Sequence, residues 1–506
     1  MKNITLVYWL CMISSCLTIT GCYKDLGNYD YEVLNKFALS NLSQQIVVQG
    51  DTLRLNPTLE EDIPDSTRFD YKWTFELNRE QIAKMSLDSN AIIIGRKKEL
   101  LYVIPINIPA DTYILKAEAV DRNTGIRKFT TTSVQITVRY QRGYMLLEET
   151  DQGGDISLVV NKGLVYRHVF SENNEGKYLP TPLNRLLTAN ALMDRRNKKI
   201  LFVSAAGFNK ELDEQSFRVI RDINDIFIAP YGKPLVPMYL EALSNRTLYS
   251  AFVWDNGLIS NVVTGSTNVL AATYDYPLAG DYKLAPFLAH FGGRGFIGFD
   301  EKNGRFLSFD NWRSTSGITM STFLNVPTTV FDINNIKKKM IYGSNIFQDR
   351  YFVGLFKDVS GRLSMYELDF TDIRNKGAQP IRTYTIDLTK VPHIDKASCF
   401  TASYLLPFLY YAVDNTLYLF DVHNHKADPI YSFQPGERIT TLEWANKEGT
   451  RQIAISTYNG SEGKFYVFLP SGSGSLELPA QIQEGGFGKI IHTHIKFSSA
   501  SPNPRG

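Results

Sequence analysis

Two His-x-His pairs, His423-Asn424-His425 and His492-Thr493-His494, have the residue types and spacing to do chemistry. On an extended strand residues i and i+2 share a face, so either pair is spaced to grip a divalent metal from one side. A closed site needs further ligands, and neither neighbourhood offers a third; a polar loop after Phe420-Asp421 and a solvated strand face are the plainer readings. Cys399, in Ala397-Ser398-Cys399-Phe400, reads as a buried small hydrophobe rather than a nucleophile. Asp300, Glu301, Asp310 and Asp369 sit beside hairpin-turn sequences, where carboxylates stabilise turns. No His-Glu-x-x-His, Gly-x-Ser-x-Gly, phosphate-loop or calcium-loop pattern is present, so no catalytic residue, metal ligand or cofactor is assigned. What remains is binding chemistry. Trp312, in Phe309-Asp310-Asn311-Trp312-Arg313, and Tyr274 and Tyr276, in Tyr274-Asp275-Tyr276-Pro277, are loop aromatics suited to stack on a sugar ring or a peptide side chain, the alternative being packing between sheets.

The elements that position these residues begin with a leader. Lys2 is followed by an apolar run from Ile4 to Ile19, broken by Ser14, Ser15 and Thr18. That is shorter than the roughly 20 apolar residues of a spanning helix and has the form of an export signal. The ending Ile19-Thr20-Gly21-Cys22 resembles a bacterial lipobox. The resemblance implies a signal peptide over 1–21, lipid on Cys22 as the first mature residue, and a tether over 22–37. Acyl chains contribute about 0.8 kcal/mol per buried methylene, so several of them anchor a protein without a spanning helix. Lys24 and Asp25 resemble the surface-export signal of Gram-negative lipoproteins, which implies an outer-membrane protein facing the exterior, with the periplasmic face as the alternative.

Removing residues 1–21 of 506 leaves 485, enough for more than one domain. The net charge of +2, or +1 without Lys2, gives no basic excess for phosphate backbones and argues against a nucleic-acid partner. Cys11 and Cys16 leave with the signal and Cys22 is committed to lipid, so Cys399 has no disulfide partner and stability must come from packing. With 28 Tyr and 30 Phe and no sustained 3.6-residue apolar period, the chain reads as all-β.

Residues 38–140 read as an immunoglobulin-like sandwich. Gln45–Val48, Thr52–Leu55, Leu100–Ile106, Tyr113–Val120 and Thr131–Val138 are strand-like. Phe69, Tyr71, Trp73 and Phe75 alternate onto one face, and Asp121-Arg122-Asn123-Thr124-Gly125 is a hairpin turn. Tyr71-Lys72-Trp73-Thr74-Phe75, Asp111-Thr112-Tyr113, Ala117-Glu118-Ala119-Val120-Asp121 and the run from Cys22 to Tyr31 resemble the PKD-like lipoproteins of nutrient-import systems, as does Gly485-Gly486-Phe487-Gly488-Lys489 near the C-terminus.

Residues 141–506 show a repeat of strand, Gly- or Asn-containing turn, strand. Its turns fall at Gly154, Gly207, Gly257, Gly304, Gly361, Thr416 and Gly463, about 47 to 57 residues apart, which is propeller-blade spacing. Seven repeats predict a seven-bladed β-propeller, with six or eight blades open. Gly488–Ile495 is the predicted closing strand, and Asn209–Ser216, being polar, reads as a loop or short helix. Trp254 and Trp444 lie in strand-like contexts and read as core.

The resemblance implies an accessory subunit of a SusC/SusD-like outer-membrane importer that captures an oligopeptide or oligosaccharide without catalysis. A propeller enzyme of glycosidase or lyase type, and a structural adhesin or assembly protein, are the alternatives.

Overall fold

The computed structural model describes residues 36–496 except 41, 63–64, 66, 86, 106–107, 141–142, 194–195, 228, 243–249, 262–272, 292–294, 311–318, 324–328, 348–350, 372–377 and 446–450. The chain divides into two compact units, Met1–Arg139 and Tyr140–Gly506. No helix among the described residues is long and apolar enough to cross a membrane.

The first unit is built on a five-stranded sheet in the order Gln45–Val48, Arg127–Thr137, Asp111–Asp121, Phe69–Glu76, Ala91–Gly95. Thr52–Leu55 pairs with Leu100–Val103, and Phe37–Ser40 with Thr58–Glu61, in separate two-stranded ladders. The alternation along Phe69–Glu76 drives this, sending Phe69, Trp73 and Phe75 into the core. Trp73 is 1% exposed, and its indole N–H donates to the Lys97 carbonyl at 2.8 Å. The Asp121–Gly125 turn closes as the sequence predicts, with the Gly125 N–H on the Asp121 carbonyl at 2.8 Å. A helix over Arg79–Met85 was not predicted. It starts in a reciprocal cap, Gln81 N–H to Asn78 Oδ1 at 2.9 Å and Asn78 N–H to Gln81 Oε1 at 3.0 Å, which is a legible Asn-x-x-Gln signal.

The second unit contains, among the described residues, seven small antiparallel sheets, and each of the seven foreseen hairpins forms two adjacent strands of one sheet. Their first strands are Leu183–Met193, Pro237–Ala242, Leu284–Phe291, Lys339–Ile346, Cys399–Ala402 and Arg438–Ala445, and for the sheet holding Gly143–Thr150 the C-terminal strand Lys489–Lys496. Each first strand touches the first strand of the next sheet, and Lys489–Lys496 touches both Arg438–Ala445 and Leu183–Met193, so the row closes on itself as a β-propeller. Closure hides sheet faces that one blade cannot bury alone.

The polar stretch read as a loop or short helix is in part a strand, Phe208–Leu212. Lys210 lies opposite Asp222 and Glu211 opposite Arg221, and both pairs meet at 2.6 Å. Opposite charges facing each other across a ladder make a polar segment a good strand.

Candidate functional site

Of the predicted ligand contacts, Trp312, like Cys22, lies outside the described residues. Tyr274 is a correction. It is 0% exposed, its hydroxyl is 2.6 Å from the Ser250 hydroxyl, and its ring packs on Phe252 at 4.8 Å. Its backbone bridges Phe227, so the chain here runs through the core instead of looping over it. Two residues on, Tyr276 is 46% exposed. Its ring lies 5.7 Å from Tyr231 and 5.9 Å from Phe227, and Phe227 rests 5.8 Å from the buried Trp254. The result is an aromatic ledge with a packed base, Phe227 on the buried Trp254, and a half-exposed outer ring, Tyr276.

A second cluster sits on the ring of first strands. Tyr239, Phe287, Tyr342 and Phe400 come from four successive sheets and touch in sequence, at centroid distances of 6.4, 5.7 and 5.5 Å. The other side of the ring is polar. The Thr188 hydroxyl meets Nε2 of His494, whose Nδ1 lies 3.8 Å from the Glu443 carboxylate. Thr493 bonds the hydroxyls of Thr441 at 2.8 Å and Ser456 at 3.0 Å. His492 accepts the Leu186 N–H on Nδ1 at 3.4 Å. Burial, reinforced by Arg185, pushes the His492 imidazole down to about 3, so it is neutral at pH 7.

The His-x-His pairs therefore act as separate residues. His492 and His494 share a face as their spacing requires, with rings 6.3 Å apart and nearly parallel, but each is committed to a neighbouring strand. His425 stacks on Tyr384 at 3.6 Å while His423 faces Glu367 at 3.4 Å. Among the described residues no group of three His, Cys, Asp or Glu side chains is placed to hold a metal. Asp300 collects the backbone N–H groups of Lys283, Lys302 and Asn303, and Asp369 that of Thr371, which are turn-stabilising roles. Burial pushes the Cys399 thiol up to about 12, leaving it protonated.

At the closing sheet the Gly485–Gly488 segment acts as a latch. Arg167 donates to the Gly485 and Gly486 carbonyls at 2.5 and 2.8 Å and lies 4.3 Å over the Phe487 ring. The Gly488 N–H donates to Glu148 at 2.5 Å, and Glu148 also accepts the Ser157 hydroxyl at 2.5 Å. Burial nevertheless raises the Glu148 carboxyl above its ordinary range. Beside it lies a polar cavity of about 260 Å³ bordered by Glu148, Arg167, His168, Tyr458, Ser461 and Lys489. A side chain at Gly488 would place its Cβ 2.1 Å from the Glu149 carbonyl oxygen, so only glycine fits.

Sequence reasoning missed the ring of first strands because its contacts join residues of different repeats. Charge and turn spacing do not reveal which first-strand side chains meet.

Among solved structures, the fold is similar to a quinoprotein alcohol dehydrogenase-like protein from Bacteroides thetaiotaomicron, with 13% identity, a TM-score of 0.43, and coverage of 91% of this chain and 97% of that one. It is also similar to the periplasmic gluconolactonase of Pseudomonas aeruginosa, with 13% identity, a TM-score of 0.43, and coverage of 71% and 99%. At these values neither likeness bears on activity. No curated protein matches the chain. Residues 22–181 match the model of the PKD-like family, a match that spans the first unit and continues through the first hairpin of the propeller.

Proposed function

We propose that this chain is a non-enzymatic binding lipoprotein, anchored through Cys22 to the outer membrane and facing the exterior, that serves as accessory subunit of a SusC/SusD-like importer. It holds an oligomeric nutrient, peptide or glycan, by weak contacts near the transporter, where co-tethering raises effective concentration. The reading requires no cofactor. The observation that carries it is the Tyr276–Tyr231 ledge, whose base is packed on Phe227 and Trp254 and whose outer ring is half-exposed. Pre-set aromatic rings stack on sugar faces or apolar side chains with little ordering cost. Support for the family context comes from the PKD-like match over 22–181. Tyr276→Ala is expected to weaken binding of the cognate oligomer roughly five- to tenfold in a calorimetric titration, in line with the stacking energy of one ring. Unchanged affinity would remove the ledge from the account.

One arrangement favours an enzyme instead. Thr188, His494 and Glu443 stand in the order of a nucleophile, a base and an orienting carboxylate, although the 3.8 Å His494–Glu443 gap exceeds a hydrogen bond. Hydrolysis of activated esters that disappears in Thr188→Ala would establish that reading; equal rates in both proteins would dismiss it.

A further inference from the structure

A second cavity, of about 180 Å³, opens between the last two sheets of the propeller and is walled by Leu405, Leu406, Trp444, Arg451, Pro470 and Ser471. Its walls are held in place from beneath. The Leu405 and Leu406 N–H groups donate to the Ser403 hydroxyl at 3.3 and 3.2 Å. The opposite wall is a tight turn, closed by the Ser471 N–H on the Ser475 carbonyl at 2.7 Å and by the Tyr410 hydroxyl on the Gly474 carbonyl at 2.8 Å. Trp444 stacks on that same Tyr410, 5.7 Å away and inclined by 26°. The site is therefore rigid before anything enters it.

One charged group at its rim is unspent. Arg451 is exposed and forms no ion pair among the described residues. Its planar fork matches a carboxylate with two parallel hydrogen bonds. The rest of the lining is Leu405, Leu406, Pro470, Gly472 and Ser471, whose hydroxyl is already bonded to that of Ser473 at 2.9 Å, a set that offers little to the many hydroxyls of a sugar and suits an apolar side chain. At about 180 Å³ the cavity is smaller than the roughly 300–1,000 Å³ of pockets that take drug-sized ligands, which suits a single residue.

We infer that this cavity captures the C-terminal residue of an oligopeptide, with Arg451 on the carboxylate and Leu405, Leu406, Pro470 and the Trp444 ring around an apolar side chain. The inference rests on the capture reading above and selects peptide as its ligand.

The test is calorimetric titration of the full lipidated chain in detergent with three probes: acetyl-Ala-Leu as the free acid, the same dipeptide as its C-terminal amide, and glucuronic acid. The free acid is expected to bind at least tenfold more tightly than the amide. Arg451→Gln should remove that tenfold preference by weakening only the acid. Equal binding of acid and amide, no binding of any probe, or an Arg451→Gln variant that keeps the preference would overturn the assignment. Tighter binding of glucuronic acid would overturn the peptide assignment in favour of an acidic sugar. Recovery of an importer with the protein from membranes is a separate readout, so failure here would leave the accessory-subunit reading standing.

Discussion

The two sides of the propeller's inner ring are built from different chemistry. Tyr239, Phe287, Tyr342 and Phe400 join four successive sheets through a chain of aromatic contacts. Where the C-terminal strand returns, the joint is instead made by His492, Thr493 and His494 reaching Leu186, Thr441, Ser456 and Thr188. The difference follows from what each place must specify. Sheets consecutive in sequence are brought together by short connections, so aromatic contact can carry most of the joint. The returning strand must find its partner, Gly143–Thr150, from more than 300 residues away, as the bond from Gly488 to Glu148 illustrates. A strand slipped by one residue would turn every side chain to the wrong face. Directional hydrogen bonds penalise such a slip where greasy contacts would tolerate it.

Breaking the latch gives the largest expected effect. Gly488→Val drives a side chain into the Glu149 carbonyl, and urea unfolding should show a loss of about 3 kcal/mol or more. Gly207 has a φ of +66° but open space around it, so Gly207→Ala should cost only about 1–2 kcal/mol, from backbone strain. Equal losses at the two glycines would mean that closure is not the sensitive point.

On the aromatic side, Phe287→Ala removes a half-buried ring that touches both Tyr239 and Tyr342. About 2 kcal/mol is expected, less than for a fully buried Phe, and the loss should not vary between pH 5 and 8. On the polar side pH matters. His492 is held near 3 in the folded state, below its ordinary 6.5, so the unfolded chain takes up a proton that the folded chain refuses. Its contribution is therefore complete above about pH 6.5 and declines as pH falls towards 3, at up to about 1.4 kcal/mol per unit. His492→Asn, which keeps an acceptor for the Leu186 N–H, should be about 1 kcal/mol less sensitive than the parent to a step from pH 6.5 to 5.5. Parallel pH profiles for the two proteins would contradict the burial of a neutral imidazole.

Much of this architecture was legible because turns are written locally. Gly, Asn and Asp at Gly154, Gly257, Gly304 and Gly361 mark the hairpins, and the Phe69–Phe75 alternation marks the sandwich core. The cross-strand pairs Lys210–Asp222 and Glu211–Arg221 were hidden because charge reads as loop until the partner strand is known. Tyr274 and Tyr276 looked equivalent in sequence, and only the bridge from Tyr274 to Phe227 separates the buried ring from the half-exposed one. The Trp444 cavity was equally invisible, since Leu405, Trp444 and Pro470 converge from segments far apart in the chain.

The most direct test of the tethered-accessory account is affinity purification of the tagged protein from its native membrane in gentle detergent, followed by mass spectrometry. The account predicts that an outer-membrane importer and its lid lipoprotein come with it, and that the Cys22→Ala protein is released from the membrane and recovers neither. Recovery of the intact, lipidated protein by itself would contradict the account.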